Sequence, residues 1–138
     1  EEMVKDGMDI ALCSLNTKTN VLQYAGANNS LYLIRNDELI EVKSDKQPVG
    51  KFEFREKFTY NKIQVQKGDV IYLSSDGFPD QFGGPKGKKL KSKAFKKLLM
   101  QMSTKRIEEQ KQILEKEFKQ WMGDFEQLDD VCVIGVKI

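Results

Sequence analysis

"IYLSSDGFPDQFGG", at residues 71–84, places two acids and a glycine directly behind an apolar run. The run is compact rather than alternating, which predicts a central strand that is covered on both faces. Asp76 and Gly77 end this strand, and Asp80 follows three residues after the glycine. Asp-Gly is a common turn pair, so a plain turn is one interpretation and a site built from carboxylates is the other.

The composition indicates a single soluble domain. The chain has 138 residues, which is enough for one domain with its own core and without disulfides. Its 39% hydrophobic and 32% charged residues are ordinary for a globular protein, and its net charge of +2 gives no reason to expect a nucleic-acid partner. The sequence has no apolar run near the roughly 18–20 residues of a membrane helix, so we expect no membrane contact by this segment.

The histidine and cysteine counts restrict the possible chemistry. The sequence contains no histidine, which excludes histidine bases, Ser-His and Cys-His nucleophile pairs and zinc sites built on imidazole. Cys13 and Cys132 lie in apolar runs, which predicts buried free thiols, with a disulfide or redox pair as the alternative. Free thiols fit a reducing cytoplasm. Any reaction must therefore use carboxylates, hydroxyls, lysines, arginines or metals bound through oxygen.

The first two thirds of the chain have the pattern of β-strands. Strands are predicted at 8–16 and 21–27, on either side of a polar turn. Two further strands are predicted within 30–44, joined by a tight turn at Asn36-Asp37.

The last third predicts two helices and a closing strand. Ser92 is the predicted N-cap of the first helix, and Ser103 or Thr104 that of the second. The second helix is predicted to end at Gly123, and the closing strand to cover 131–138. This order of elements predicts an α+β fold, a layered sandwich with mainly antiparallel sheets and two helices before the last strand.

Two of the predicted strands carry acids at their ends. The strand at 70–74 leads to Asp76, and the strand at 131–138 begins just after Asp129-Asp130. If the two strands pair antiparallel, Asp76 and Asp129 converge at one edge of the sheet. Clustered carboxylates repel one another unless a cation neutralises them, and oxygen ligands favour Mg²⁺ or Mn²⁺. Turn or capping aspartates remain the alternative.

Five motifs, taken in order, resemble a known family. They are "DGMDIALC", "LQYAGANNSLYLI", "PVG" at 48–50, "KGDVIYLSSDGFPDQFGG" and "DDVCVIGVKI". Together they resemble the SpoIIE type of serine phosphatase in the metal-dependent PPM superfamily, a type that includes bacterial phosphatases regulating sigma factors through partner switching. The resemblance covers nearly all of the chain and implies the layered PPM sandwich.

The resemblance also implies a role for each acid. It implies that Asp76, with Gly77, and Asp129 ligate a binuclear Mn²⁺ or Mg²⁺ centre. Asp80 would support a more weakly held metal. Asp130 would lie behind the ligands or act as a cap.

The implied activity is that of a protein serine/threonine phosphatase in bacterial signal transduction. A metal-activated water would hydrolyse a phosphoserine or phosphothreonine on a partner protein resembling an anti-anti-sigma factor. The domain would be the cytoplasmic output of a larger sensor protein. The alternative is a non-catalytic regulatory module that binds a protein and keeps the phosphatase fold.

One part of the family pattern has no counterpart here. An earlier motif, Asp-x-Thr-Gly-His-Gly-x-Pro-Gly, supplies further metal contacts in the family and is not found in the sequence. Residues 1–138 therefore resemble a single partial domain, its C-terminal two thirds, with the N-terminal part absent, and we expect this piece to be inactive alone. A sheet edge exposed in this way favours a homodimer.

Seven lysines lie between residues 86 and 97. A solvated surface, contact with an acidic partner or substrate phosphate, and nucleic-acid binding are the three interpretations, and the lack of interleaved aromatics disfavours the last. The resemblance places this segment in a variable flap beside the active site and predicts a mobile loop at 82–92 that tunes substrate docking. The predicted substrate-side residues are Asn28, Gly50, Lys86 and Lys88.

Overall fold

The computed structural model describes residues 6–50 and 56–138, which form eleven strands and three helices. The helices are α1 (Gly77–Asp80), α2 (Ser92–Met102) and α3 (Ile107–Met122). The strands are β1 (Gly7–Met8), β2 (Ile10–Asn16), β3 (Val21–Ala27), β4 (Leu31–Arg35), β5 (Glu38–Val42), β6 (Val49–Gly50), β7 (Asn61–Gln64), β8 (Val70–Ser74), β9 (Phe82–Gly83), β10 (Lys88–Lys89) and β11 (Val133–Lys137).

Two antiparallel sheets form the body of the fold. One has the strand order β11-β8-β4-β5 and the other β2-β3-β7, while β1 pairs with β6 and β9 with β10. The apolar run before Asp76 lies in β8, between β11 and β4, with Val70, Ile71 and Tyr72 buried. Its predicted central position is therefore confirmed, as is the α+β class.

The side chains of β4 and β8 alternate between two cores. On one face, Tyr72 packs with Phe95 and Leu99 of α2, and α3 adds side chains to the same cluster. On the other face, Ile71 packs against residues of the second sheet, among them Leu22. The molecule is thus layered as helices, sheet and sheet, because a strand with apolar residues on both faces needs cover on both.

The hairpin between β4 and β5 has the predicted turn. Asn36 and Asp37 have φ values of 50° and 61°. Two successive residues with positive φ form the type of tight turn that matches the twist of antiparallel strands, and Asn and Asp tolerate that conformation better than most residues. Leu31 consequently lies opposite Val42, in the register that buries Leu31 and Leu33.

The predicted N-caps of α2 and α3 were both wrong. Ser92 is the first residue of α2 and not its cap; Lys91 occupies the N-cap position with a φ of 72°. For α3 the cap is Arg106, whose backbone N–H donates a hydrogen bond of 3.3 Å to the Glu109 carboxylate. Neither Ser103 nor Thr104 begins the helix, because residues 103–105 form a separate turn.

The bounds of other helices and strands differ slightly from the predicted ones. Gly123 is the C-cap of α3, as predicted, with a φ of 54° that a glycine adopts without steric cost. The closing strand is shorter than 131–138, and the predicted strand at 8–16 is interrupted at Asp9.

The segment at 82–92 contains a short hairpin where a loop was predicted, while its predicted mobility and its role in substrate docking stay predictions. Phe82 pairs with Lys89 and Gly83 with Lys88, which makes a hairpin of β9 and β10. The Gly84 N–H donates a hydrogen bond of 2.8 Å to the Trp121 carbonyl oxygen, so the hairpin is attached to α3.

The cysteines differ from each other in exposure. Both are free thiols in the described part of the chain; Cys13 is half-buried, but Cys132 is exposed, which contradicts the prediction for it. Cys132 lies next to β11, at the edge of its sheet, where fewer neighbours cover the chain. Across the described residues, no helix combines the length and the apolar character needed to cross a membrane.

Candidate metal centre

Asp76 and Asp80 lie at the two ends of one helical turn that follows β8. Asp76 occupies the N-cap position of α1, and the Asp80 N–H donates a hydrogen bond of 2.9 Å to the Asp76 carbonyl oxygen. Residues four apart in a helical turn project to the same side. The short helix therefore presents both exposed carboxylates beside the end of the central strand.

Gly77 allows a second segment to approach this turn closely. A Cβ atom at Gly77 would lie 2.3 Å from the carbonyl oxygen of Asp130 and 2.9 Å from its carbonyl carbon, distances that no side chain tolerates. The chain that approaches this glycine closely is the segment before β11.

The pairing of β8 with β11 brings Asp129 to the same edge, as predicted. The two strands are antiparallel, and Val133 lies opposite Ser74. Beyond this pair, the Ser75 hydroxyl donates a hydrogen bond of 2.9 Å to the Asp130 carbonyl oxygen and accepts one of 3.0 Å from the Cys132 N–H. These bonds extend the contact past the ends of the strands and hold the Asp129-Asp130 segment against α1.

Asp129 and Asp130 form their hydrogen bonds through different groups, Asp129 through its carboxylate and Asp130 through its backbone. The Asp130 N–H donates a hydrogen bond of 2.8 Å to Oδ1 of Asp129, which orients that carboxylate. Asp130 thus contributes its backbone, both as this donor and as the acceptor for Ser75. Its predicted place behind the ligands agrees with these contacts, although its role stays a prediction.

The acids influence one another through their charges. Although the Asp76 side chain is exposed, partial burial is the first cause that raises its pKa above the ordinary value, followed by the negative charges of Asp129, Asp80 and Asp9. A carboxylate among like charges favours the protonated form unless a cation is present. This crowding is the electrostatic property expected of a cation-binding site.

Asp9 also belongs to this group and was not among the site residues predicted from the sequence. The Asn28 side chain donates a hydrogen bond of 2.7 Å to Oδ1 of Asp9. Asn28 has a φ of 60° and follows β3, whose pairing places Ala27 opposite Ile10. Extending the predicted pairing of strands 8–16 and 21–27 by one residue would have brought Asp9 and Asn28 together.

The other predicted substrate-side residues lie in separate places. Gly50 pairs with Gly7 in the β1–β6 ladder. Lys86 is exposed in the β9–β10 turn, and Lys88 is exposed on β10. Among the described residues, the hydrogen bonds and ion pairs do not connect these three residues to the acids, and their roles stay predictions.

The oxygen ligands that the described residues place at this edge have the chemistry that a hard divalent cation prefers, but they are too few to hold one. Carboxylate and backbone oxygens are the ligands that Mg²⁺ and Mn²⁺ prefer. Within residues 6–50 and 56–138, however, no three acidic or other ligating side chains lie close enough to hold a metal ion. The predicted ligands Asp76, Gly77 and Asp129 lie near one another at one edge of the sheet, and their role as metal ligands stays a prediction.

Comparison with solved structures identifies the fold. The SiaA-PP2C domain of Pseudomonas aeruginosa superposes with a TM-score of 0.88 and 26% identity, over 94% of this chain and 51% of that one. The phosphatase domain of SpoIIE from Bacillus subtilis superposes with a TM-score of 0.65 and 15% identity, over 94% of this chain and 58% of that one. The serine/threonine phosphatase PstP/Ppp of Mycobacterium tuberculosis superposes with a TM-score of 0.64 and 14% identity, over 96% of this chain and 60% of that one.

At 15% and 14% sequence identity, the similarity to SpoIIE and to PstP/Ppp establishes the fold alone. The chain spans between 51% and 60% of the length of these three structures. A comparison with curated proteins gave no match. The model of the Stage II sporulation protein E (SpoIIE) family matches residues 3–138, nearly the whole length, and the chain therefore belongs to that family.

Proposed function

We propose that this chain is part of a metal-dependent protein serine/threonine phosphatase domain. The observation that carries the proposal is the antiparallel pairing of β8 with β11, which brings Asp76 and Asp129 to one edge in a chain of the SpoIIE family. The proposed substrate is a phosphoserine on a partner protein that resembles an anti-anti-sigma factor, within bacterial cytoplasmic signalling.

In this proposal the acids hold Mn²⁺ or Mg²⁺, two ions in the complete domain. When bound, such ions supply an activated water and neutralise charge on the phosphoryl oxygens. Asp76 and Asp129 provide ligand oxygens, and Asp80 provides a further one on the side of α1. Gly77 lets the Asp129-Asp130 segment lie against α1, which sets the spacing between the carboxylates.

We propose further that hydrolysis needs more ligands than these. Three ligating side chains do not converge anywhere in the described ranges, and the structural relatives are longer than this chain. The chain by itself is then expected to bind cations weakly and to be inactive as a phosphatase.

The same observation favours a second candidate, a non-catalytic module. A protein with the phosphatase fold and an incomplete cation site could bind a partner without hydrolysing it. The two candidates differ in one measurable property, which is turnover of a phosphorylated protein in the presence of Mn²⁺.

The test is hydrolysis of a phosphoserine-containing protein by the complete domain with Mn²⁺. We expect Asp76→Asn and Asp129→Asn each to lower kcat/KM by about a hundredfold or more, since even residues behind metal ligands are worth about 10–100-fold. Asp124→Asn is the matched control, because Asp124 is exposed in the turn after α3. Full activity of either site variant would refute the assignment, and a wild-type domain that binds the phosphoprotein without turnover would favour the module.

A further inference from the structure

Lys89 lies against one acid of the candidate centre. Its Nζ is 3.3 Å from Oδ2 of Asp80, and both side chains are about half exposed, at 45% and 47%. The same ammonium lies 5.9 Å from the centroid of the Phe82 ring, which belongs to its cross-strand neighbour. The charge of Lys89 is thus placed between an aromatic ring and the carboxylate at the end of α1.

The backbone around Lys89 is held in place on both sides of α1. The Lys91 N–H donates a hydrogen bond of 2.7 Å to the Pro79 carbonyl oxygen. The Leu90 N–H donates one of 3.1 Å to the carbonyl oxygen of Gln81, which also accepts a bond of 2.9 Å from the Trp121 indole. Because these bonds attach the hairpin to the same helical turn that carries Asp80, the ion pair has a defined place in the fold.

The ion pair adjoins the crowded carboxylates. Asp80 is one helical turn from Asp76, and its charge is among those that act on Asp76. Within the described residues, Asp80 is the one acid of the candidate centre that forms an ion pair; Asp76, Asp129 and Asp9 form none. The hairpin therefore adds a positive charge at one side of the site and leaves the other acids free for a cation.

We propose that Lys89 is a built-in counter-ion of Asp80 that a divalent cation must displace in order to use this carboxylate. The proposal rests on the proposed metal centre and adds a residue that controls its cation affinity. An exposed ammonium–carboxylate pair is weak, so a divalent ion can replace the ammonium. The replacement also brings an unfavourable contact between two positive charges, which lowers the apparent affinity of the site for the cation.

Lys88 offers a matched control for this charge. It is the other residue of β10, it is exposed, and it forms no ion pair within the described part of the molecule. Successive side chains of a strand point to opposite faces, so Lys88 carries the same charge on the opposite face from Lys89. Neutralising either lysine changes the net charge equally.

The test is a Mn²⁺ titration of the chain, followed by the electron paramagnetic resonance signal of free Mn²⁺. We expect Lys89→Met to tighten binding by about three- to tenfold, the scale of Coulomb repulsion between a unit charge and a divalent ion several ångströms apart in water. Lys88→Met should change binding by less than about twofold, since a more distant exposed charge is screened. Lys89→Arg, which keeps the charge, should bind as the wild type does.

An Asp80→Asn background separates this proposal from general electrostatics. If Lys89 acts through Asp80, Lys89→Met loses its advantage over Lys88→Met once Asp80 is replaced by a neutral side chain. Equal effects of the two lysine variants in the wild-type background, or an effect of Lys89→Met that persists in the Asp80→Asn background, overturn the counter-ion. Binding that Asp76→Asn and Asp129→Asn leave unchanged, or no binding at all, overturns the metal centre itself. Binding that Asp76→Asn weakens but Lys89→Met leaves unchanged overturns the counter-ion alone.

Discussion

The hydroxyl of Ser75 and the backbone of Asp130 join the two halves of the candidate centre. Ser75 Oγ donates a hydrogen bond of 2.9 Å to the Asp130 carbonyl oxygen, and the same Oγ accepts one of 3.0 Å from the Cys132 N–H. The Ser75 N–H also donates to the Cys132 carbonyl oxygen at 3.0 Å. A side chain directly before Asp76 thereby sets the position of the segment that carries Asp129.

Ser75→Ala should weaken this connection. The substitution removes two hydrogen bonds, each worth about 0.5–1.5 kcal/mol, so we expect the free energy of unfolding to fall by about 1–2 kcal/mol. Chemical denaturation measures the loss. Ser14→Ala, at an exposed position on β2, is the control and should stay within about 0.5 kcal/mol of the wild type. Equal stability of the two variants would mean that the Ser75 hydroxyl does not support the segment.

Gly77→Ala should destabilise the protein more than the addition of one methyl group would suggest. The new methyl group would meet the Asp130 carbonyl oxygen at 2.3 Å, so the Asp129-Asp130 segment must move away. We expect a loss of about 1–3 kcal/mol, the usual cost of overpacking, together with weaker Mn²⁺ binding.

Gly123→Ala is the control for Gly77→Ala. A Cβ there meets nothing within 4 Å, and the cost is confined to its φ of 54°. It should lower stability by about 1 kcal/mol without changing Mn²⁺ binding. A Gly77→Ala variant that binds Mn²⁺ as the wild type does would contradict the importance of the close approach.

Where local chemistry decides the structure, the sequence was sufficient to predict it. Asn36-Asp37 predicts the β4–β5 turn, because few residue pairs adopt positive φ twice in succession. The compact run in β8 predicts a strand covered on both faces. The antiparallel pairing of β8 with β11 was the condition under which the acids at the two strand ends converge, and the two strands do pair in this way.

Where distant residues decide the structure, prediction from the sequence failed. The strands of the β9–β10 hairpin have two residues each and no apolar alternation, and the hairpin is held by Trp121 from α3. Lys91 lies at the start of α2 with a φ of 72° while its N–H bonds to Pro79. Neither the ladder nor this cap can be read from neighbouring residues, and the Lys89–Asp80 pair that depends on them was missed for the same reason.

Asp76→Asn should stabilise the protein in the absence of metal ions. The pKa of Asp76 is raised in the folded state by burial and by Asp129, Asp80 and Asp9, so its charged form opposes folding. A raised folded pKa means that the wild type gains stability as the pH falls from 7 towards the unfolded value of about 4. The variant lacks this gain and should be more stable than the wild type at pH 7 by about 0.5 kcal/mol.

Denaturation in the presence of a chelator, at pH 7 and at pH 5, measures this difference for Asp76→Asn. The advantage of the variant should be smaller at pH 5, because more of the wild-type Asp76 is then protonated. Asp124→Asn, at an exposed position in the turn after α3, is the control. A variant that is less stable than the wild type at pH 7 without metal would show that the charge of Asp76 does not oppose folding.

The pair formed by Asp69 and Arg35 should have the opposite dependence on pH. Asp69 is 2% exposed and accepts hydrogen bonds from Arg35 Nε at 2.9 Å and from the Gln66 N–H at 2.8 Å. The hydrogen bond from Arg35 is the main cause that lowers the pKa of Asp69 below its ordinary value. A lowered folded pKa stabilises the protein above the unfolded value of about 4, and this stability is lost as the pH falls through the folded pKa. We expect Asp69→Asn to cost about 3 kcal/mol at pH 7, since it leaves the partly buried charge of Arg35 without its partner.

The cost of Asp69→Asn should decrease when urea denaturation is repeated at pH values below about 4, where the wild-type carboxylate becomes protonated. Asp37→Asn is the control, because Asp37 is exposed in the β4–β5 turn and asparagine suits its φ of 61° equally well. If the stability difference between Asp69→Asn and the wild type were the same at pH 7 and at pH 3, the ionised carboxylate would not be the stabilising species. The pair would then contribute through packing and neutral hydrogen bonds alone.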